Sequence, residues 1–324
     1  MVRVASVGSI NVDRVAYLDA ATLAGLTDAD WFPREGETRR VESVPESARA
    51  HATERFHGGK GANQAVAAAR ADAGAALYGM VGDDAPEAGV REALDRRGVD
   101  VSAVADVPGP TGAAYVFVGP NGENHIAIVG GANEAVDRAY VDHHLASLRA
   151  ADAVLVQNEL PVEASVAALE GCKREPDRAT SRTDPDGGGA LTVCNPAPVV
   201  DAGTLLAAAP DVIVVNEAEH GALAERLGGL PVVIRTRGAD PVIVEGREVP
   251  DGRLEIVPPA VDPVDTTGAG DVLTGYLATE LARGTPLERA VRVAVAAGSL
   301  STEHEGVQRA TPATGTVREF LDGT

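Results

Sequence analysis

The sequence predicts an α/β fold, with a mainly parallel central sheet covered by helices and a small additional β-sheet lid. Short β-branched runs alternate with helical segments through most of the chain. A charged polar region and a hairpin pattern interrupt this alternation. The 324 residues are ample for one large α/β domain. We therefore predict a single domain over 1–324, with the lid formed by about 13–56 and 111–129.

The first half of the chain opens with a strand and reaches its first helix late. The β-branched run from Val2 to Val7 is typical of a buried strand that leads into a functional loop. The polar region 13–56 contains no apolar face of helix length. The alanine-rich segment 63–70 then predicts a helix, because alanine is the best helix former, and 75–81 predicts the next strand.

A β-hairpin pattern follows at 113–129. Two alternating segments, 114–118 and 125–129, flank Asn121-Gly122, which is a strong turn signal. We expect this hairpin and the polar strands before residue 56 to form a small sheet that stands off the main one.

Helix and strand alternate through the rest of the chain. The predicted helices are 85–97, 137–149, 162–171 and 217–227, and the predicted strands are 153–157, 190–194, 211–215 and 231–235. The segment 173–189, with charges, proline and three consecutive glycines, is typical of a surface loop. Apolar residues at helical spacing after Asp271 predict a helix that begins near Gly270.

The composition excludes several classes of partner. The net charge is -20 and the isoelectric point is near 4.7, so the surface repels nucleic acid and anionic membranes. Only two residues are lysine, Lys60 and Lys173. Many acidic residues with almost no lysine indicate a halophilic protein from a high-salt cytoplasm, where salt screens the repulsion between carboxylates. The two cysteines have neither the spacing of a metal site nor the density of a disulfide scaffold.

The N-terminal residues favour a cytoplasmic location. They read as a strand rather than as a signal peptide, and no apolar run approaches the ~18 residues of a membrane span.

Four constellations of polar residues lie where a predicted strand ends or a helix begins, which is where open α/β sheets bind ligands. The most informative is 265–271. Three small residues, Gly268, Ala269 and Gly270, leave the first N–H groups of the helix open to an anion. Asp271 then lies where a phosphoryl group and an attacking hydroxyl could meet. Taken alone, the segment fits a phosphate site and a plain helix cap with a glycine turn equally well.

Two further constellations carry candidate ligand groups. Asn11 and Asp13 are two residues apart after the first strand, so in extended backbone both face the same way and could bind sugar hydroxyls, although each is also an ordinary turn residue. Lys60 and Asn63 lie one helical turn apart behind a glycine-rich turn that matches neither a Walker A loop nor Gly-x-Gly-x-x-Gly. In a chain so poor in lysine, Lys60 favours a specific role over a chance surface position.

The fourth constellation, Asn216 and Glu219, follows the strand at 211–215. Asn216 could contact a phosphate or a metal-bound water, and Glu219 could hold Mg²⁺ through water. The spacing alone favours a second interpretation, in which Asn216 caps the next helix and Glu219 is its capping-box partner.

These constellations, in this order, resemble the ribokinase family of sugar kinases, also called the PfkB family, and most closely its ribokinase branch. The resemblance covers nearly the whole chain. Its other matches are Gly36-Glu37-Thr38, Val81-Gly82-Asp83-Asp84, 121–124, Gly131-Ala132-Asn133 and 195–198. The family implies a ribokinase-like sandwich, nine-stranded or similar, with a small β-sheet lid over the sugar.

The resemblance also implies a role for each matching position. Asp271 would be the catalytic base, with Gly268, Ala269 and Gly270 as the anion hole for the transferring phosphoryl group. The sugar would be held by Asn11, Asp13, Gly59, Lys60, Asn63 and Glu159. ATP would be bound by Asn216, Thr236, Arg237 and Gly238, and Glu219 would belong to the Mg²⁺ site. A K⁺ activator would correspond to Asp265, Thr267, Ser301, His304 and Gly306.

The activity implied is ATP-dependent phosphorylation of a primary sugar hydroxyl, with D-ribose to D-ribose 5-phosphate as the leading case. Within the class, the alternatives are a nucleoside, fructose or a 2-keto-3-deoxy sugar acid, whose carboxylate could bind Arg34, Arg39, Arg40 or Arg55. An alternative from another class is a catalytically silent sugar-binding module. A base beside an anion site argues against it, because a binding module would not need a base there. A homodimer that pairs through the lid is expected, since exposed strand edges need covering.

Overall fold

The structure is a computed structural model that describes residues 1–173 and 189–323. The predicted loop at 173–189 lies, except for its two end residues, outside the described residues. The strands are β1 (Arg3–Val7), β2 (Asn11–Tyr17), β3 (Thr38–Arg40), β4 (Glu54–Gly58), β5 (Gly74–Tyr78), β6 (Met80–Val81), β7 (Val99–Asp100), β8 (Ala105–Asp106), β9 (Ala113–Val118), β10 (Asn124–Val129), β11 (Ala153–Gln157), β12 (Leu191–Asn195), β13 (Val212–Asn216), β14 (Val232–Arg237), β15 (Asp240–Glu245) and β16 (Arg253–Ile256).

Helices alternate with these strands through much of the chain. They are α1 (Ala20–Thr27), α2 (Glu46–Arg49), α3 (Lys60–Arg70), α4 (Ala85–Ala88), α5 (Val90–Asp95), α6 (Arg138–Arg149), α7 (Val162–Cys172), α8 (Ala202–Ala207), α9 (Glu217–Leu227), α10 (Ala269–Ala282), α11 (Leu287–Ser301), α12 (Val307–Ala310) and α13 (Thr314–Gly323). Among the described residues, no helix is both long and apolar enough to span a membrane.

The main sheet has nine strands in the order β16-β15-β14-β13-β12-β11-β1-β5-β7. Adjacent strands in this order are parallel from β14 to β7. The strands β15 and β16 extend one edge of the sheet and pair antiparallel. The mainly parallel sheet predicted from the sequence is thus confirmed. The antiparallel edge was not predicted.

Helices cover both faces of this sheet, because successive strand residues point to opposite sides. Val4 of β1 and Leu155 of β11 belong to the core shared with α3, α10 and α11, whereas Val7 and Val156 belong to the core shared with α6 and α7. Strands buried on both faces read as continuous apolar runs, which is the pattern that predicted them.

The second sheet is small and separate. It has five strands in the order β3-β10-β9-β2-β4, with β9 and β10 as the predicted antiparallel hairpin. Its own apolar cluster includes Phe32 and Phe117, whose ring centroids are 5.3 Å apart. The separate small sheet agrees with the predicted fold class.

Three predicted elements differ from the structure. The helices α1 and α2 both lie inside the polar region that was expected to contain none. Asp19 caps α1, and only partly buried residues such as Leu23 pack it against the small sheet. The strand at 75–81 is divided into β5 and β6. The helix at 85–97 is divided into α4 and α5 at Gly89, whose φ is +65°.

A close helix contact positions the N-terminal end of α10. A Cβ on Gly275 would lie 2.5 Å from the Cβ of Ala67, so α10 and α3 approach at a distance that only glycine permits. One turn earlier on each helix lie Asp271 on α10 and Asn63 and Gln64 on α3. The same contact that closes the core therefore brings these three side chains together.

Candidate active site

A cavity of about 880 Å³ lies at the carboxyl ends of β11 to β14, between the main sheet and the small sheet. Its walls come from both sheets and from the first turns of α3 and α10. This is the position at which open parallel sheets bind ligands, and the volume is ample for a sugar and a nucleotide. Most of the predicted site residues line it: Asn11, Asp13, Gly59, Lys60, Asn63, Glu159, Asn216, Glu219, Thr236, Gly238, Thr267, Gly268, Ala269, Gly270 and Asp271.

Asp271 lies in the first turn of α10 and is 4% exposed. Asn63 Nδ2 donates to its Oδ2 at 3.0 Å, and Gln64 Nε2 donates to its Oδ1 at 3.0 Å. Both carboxylate oxygens are therefore held by amide donors, which fixes the side chain toward the cavity. A carboxylate held in this way has further lone pairs that can accept a hydrogen bond from a ligand hydroxyl.

The turn before Asp271 forms the start of α10. Gly268 is the N-cap, with φ of +72°, and a Cβ there would lie 2.2 Å from Val307 Cγ1, so both backbone and space require glycine. Within the described residues, the N–H groups of Gly270 and Asp271 have no hydrogen-bond partner. Unpaired N–H groups at a helix N-terminus that faces a cavity are suited to a phosphate.

Asn11 and Asp13 begin β2 and both line the cavity. Asn133 Nδ2 donates to Asn11 Oδ1 at 2.9 Å and orients that amide. Asp13 Oδ1 is buried and has no hydrogen-bond partner among the described residues, so it is an acceptor that lacks a donor. Burial, and then the negative charges of Glu159 and Asp271, raise the pKa of Asp13 to about 7, against a lowering contribution from the Ala114 N–H.

Lys60 and Glu159 complete this side of the cavity. Glu159 Oε2 accepts a hydrogen bond from Ser9 Oγ and another from the Lys60 N–H at 3.1 Å. Burial lowers the pKa of the Lys60 ammonium, but the carboxylates of Asp271, Glu159 and Glu219 outweigh it, and the net direction is upward. Lys60 therefore stays charged at neutral pH among three carboxylates.

Asn216 and Glu219 form the capping box of α9. The Glu219 N–H donates to Asn216 Oδ1 at 2.8 Å, and the Asn216 N–H donates to Glu219 Oε2 at 2.8 Å. The cap favoured by the spacing is thus present, and both residues also face the cavity. Arg237 lies outside the cavity, on a neighbouring pocket of about 410 Å³, and its Nε is 3.2 Å from Glu217 Oε2.

The five residues predicted for a monovalent cation are only partly brought together. Asp265 accepts hydrogen bonds from the Thr267 N–H at 2.9 Å and the Gly306 N–H at 3.3 Å, so it joins two loops. Ser301 donates to the Gly298 carbonyl at 2.8 Å, and His304 is exposed. Over residues 1–173 and 189–323, no group of three or more His, Cys, Asp or Glu side chains is placed to hold a metal ion.

Three residues at the site were not singled out from the sequence for a role. Gln64 contacts Asp271, Asn133 orients Asn11, and Gln308 Nε2 donates to Asn63 Oδ1 at 3.1 Å. Asn133 lies in a motif that carried the resemblance, and Gln64 directly follows Asn63. The signal that would have found Gln308 is the rarity of glutamine, of which the chain has three.

A model of the pfkB family of carbohydrate kinases matches residues 3–314. The chain belongs to this family. It is therefore a phosphotransferase that acts on a sugar hydroxyl with ATP.

Similar proteins include ribokinases. The chain is 31% identical to the bifunctional ribokinase/ribose-5-phosphate isomerase A of Fructilactobacillus sanfranciscensis, over 96% of this chain but only 55% of that protein's length. It is 30% identical to the ribokinase of Bacillus subtilis, over 95% of this chain and 99% of that one. The structure of Arabidopsis thaliana ribokinase complexed with ribose and ATP is 27% identical, with a TM-score of 0.77 and 99% of both chains covered.

Proposed function

We propose that this kinase transfers the γ-phosphoryl group of ATP to the primary hydroxyl of D-ribose and forms D-ribose 5-phosphate. The observation that carries the proposal is the position of Asp271. Its carboxylate is held by two amide donors beside unpaired helix N–H groups, in the same cavity as the unpartnered acceptor of Asp13. The names of the similar proteins from Bacillus subtilis and Arabidopsis support ribose as the sugar.

The chain supplies positioning and charge rather than covalent chemistry, which suits the loose transition state of phosphoryl transfer. Asp13, Lys60 and Glu159 bind sugar hydroxyls and hold the primary hydroxyl toward Asp271. Asp271 orients that hydroxyl and accepts its proton as the phosphoryl group arrives. The N–H groups at the start of α10, where those of Gly270 and Asp271 lack partners among the described residues, stabilise the charge on the equatorial phosphoryl oxygens.

The nucleotide would occupy the wall formed by Asn216, Thr236 and Gly238, with Arg237 at its outer edge. Its phosphates fit the start of α10, where N–H groups lack partners. Glu219 keeps Oε1 outside its capping bond and would hold a Mg²⁺ ion through water. When bound, Mg²⁺ neutralises charge on the transferring group.

Several finer features belong to the same proposal. K⁺ would activate through the loops that Asp265 joins, with Thr267, Ser301, His304 and Gly306. The lid at 13–56 and 111–129 would cover the sugar within one domain, and two lids would pair in a homodimer, supported by the strand edges of the small sheet. The charge of -20 supports a high-salt cytoplasm as its environment.

A substrate panel assayed by ADP release tests the proposal. The purified protein is given ATP, Mg²⁺ and molar KCl with D-ribose, fructose, nucleosides or a 2-keto-3-deoxy sugar acid, and ATP without sugar is the control. We expect the highest kcat/KM for D-ribose and a phosphate on its primary hydroxyl by ³¹P NMR. Preference for a sugar acid would replace ribose, and no ADP release with any substrate would favour a silent binding module.

Exchange of the salt separates activation by K⁺ from a general need for salt. KCl is replaced by NaCl or choline chloride at the same ionic strength. K⁺ activation predicts loss of turnover with choline, whereas a salt requirement that comes only from the acidic surface predicts equal turnover in all three salts.

A further inference from the structure

All three glutamines of the chain belong to one buried network around Asp271. Gln64 and Gln157 are fully buried, and Gln308 is 4% exposed. They come from three separate elements, α3, β11 and α12. In a chain with 48 acidic residues, the three neutral glutamines thus converge on a single carboxylate.

The network consists of two amide pairs in series. Gln157 Nε2 donates to Gln64 Oε1 at 2.6 Å, and Gln64 Nε2 donates to Asp271 Oδ1. On the other side, Gln308 Nε2 donates to Asn63 Oδ1, and Asn63 Nδ2 donates to Asp271 Oδ2. Each oxygen of Asp271 therefore ends a chain of two amides.

The direction of every bond in the network follows from Asp271. An ionised carboxylate only accepts hydrogen bonds, so Asn63 and Gln64 must turn their nitrogen atoms toward it. Their oxygen atoms then point away and require donors, which Gln308 and Gln157 supply. A glutamate at either outer position could not donate when ionised, whereas a glutamine can.

The outer glutamines leave an oxygen atom unpaired to make this donation. Gln157 Oε1 and Gln308 Oε1 are buried without a hydrogen-bond partner among the described residues. An unpaired buried acceptor costs free energy. The hydrogen bond that the NH₂ group of the same amide donates explains why each glutamine is buried here. That hydrogen bond fixes the orientation of Asn63 and Gln64.

We infer that Gln157 and Gln308 are positioning residues of the phosphoryl-transfer site, which hold Asn63 and Gln64 with their nitrogen atoms toward Asp271 and thereby keep its carboxylate oriented toward the sugar hydroxyl. The inference rests on the proposed role of Asp271 as the base. Without the outer donors, each inner amide can rotate and present its oxygen to the carboxylate, which then loses a donor and its fixed orientation.

Three variants and a control test this role by kinetics. Gln308→Met and Gln157→Met remove the donor at similar side-chain length, and Gln308→Glu replaces it with an acceptor. Thr192→Val is the control, because it breaks a partly buried hydrogen bond of 2.8 Å to Asp211 Oδ2 near the opposite end of β12. Asp13 and Lys60 also act on Asp271 electrostatically, and none of the variants alters them.

We expect kcat to fall about tenfold in the Met variants, with an unchanged KM for ATP. Gln308→Glu should lower kcat further, and Thr192→Val should lower Tm without lowering kcat. Folded Met and Glu variants with the kcat of the wild type would overturn the inference.

An NMR arm gives a readout that needs no activity. Protein labelled with ¹⁵N in glutamine side chains should give three NH₂ pairs, since the chain has three glutamines. Asp271→Asn should shift all three pairs, including that of Gln308, which does not contact Asp271, whereas Asp211→Asn should shift none. A shift confined to Gln64 would overturn the network even if the Met variants fail to fold.

Failure of the proposed function gives a different result. Wild-type protein that phosphorylates no substrate refutes that function, and the NMR experiment then still shows whether the glutamines position Asp271.

Discussion

Asp13 should make the folded protein less stable as the pH rises, and removal of Asp13 should abolish this contribution. Its pKa is raised from the ordinary value of 3.8 to about 7, first by burial and then by the charge of Glu159. The folded protein therefore holds this proton to higher pH than the unfolded chain does. The associated stability is complete below the unfolded pKa and is lost as the pH rises through the folded pKa.

The magnitude follows from the two values. The difference between 3.8 and about 7 corresponds to about 4 kcal/mol in the free energy of unfolding, as an upper estimate, and about 2.5 kcal/mol of it falls between pH 5 and pH 8. Asp13→Asn removes the titrating group and keeps the shape of the side chain. Relative to the variant, the wild type should therefore lose about 2.5 kcal/mol of stability over that interval.

Urea unfolding of both proteins at pH 5 and pH 8, in the same high concentration of KCl, measures this difference. The comparison of variant with wild type cancels the contributions of the other acidic groups to the extent that they are independent of Asp13. An equal pH dependence for the two proteins would refute the reasoning, because Asp13 would then be an ordinary ionised carboxylate in the folded state.

Three substitutions at the cavity have separable consequences. Lys60→Gln should raise the KM for the sugar about tenfold or more with little change in the KM for ATP, measured by steady-state kinetics, because the charge that faces Glu159 and Asp271 is lost. Gly268→Ala should lower the free energy of unfolding by about 2 kcal/mol or more in urea titrations, since it combines positive φ with a clash against Val307. Gly270→Ala meets no atom within 4 Å and should preserve Tm, while kcat falls about tenfold because its methyl group extends toward the phosphoryl site; unchanged kcat would place that site elsewhere.

The sequence was sufficient to predict the fold class, because buried parallel strands read as continuous apolar runs and the hairpin carries a strong turn signal. It was not sufficient for α1, which has no fully buried residue and so no complete apolar stripe. The antiparallel strands β15 and β16 were missed as well, although Val242, Ile243 and Val244 of β15 are buried on both faces like the parallel strands. Their antiparallel direction is set by pairing with β14, which local patterns do not record.

At the site, local sequence predicted which residues gather but not what their side chains do. Asn63 was assigned to the sugar, yet its nitrogen is bonded to Asp271 and its oxygen to Gln308. Glu219 remains a prediction as a Mg²⁺ residue, and its capping bond to Asn216 is what the spacing favoured. The contact between α3 and α10 that creates the Asp271 cluster joins residues more than 200 positions apart, so no window of sequence contains it.

The turnover of Asp271→Asn on D-ribose shows whether Asp271 is the catalytic base. Asparagine keeps the size of the side chain but cannot accept the hydroxyl proton, and its NH₂ group would face one of the two amide donors. We expect kcat to fall about 10²-fold or more, while ATP binding, measured by calorimetry on the same preparation, is little changed. Near-normal turnover in a correctly folded Asp271→Asn variant would contradict this role of Asp271.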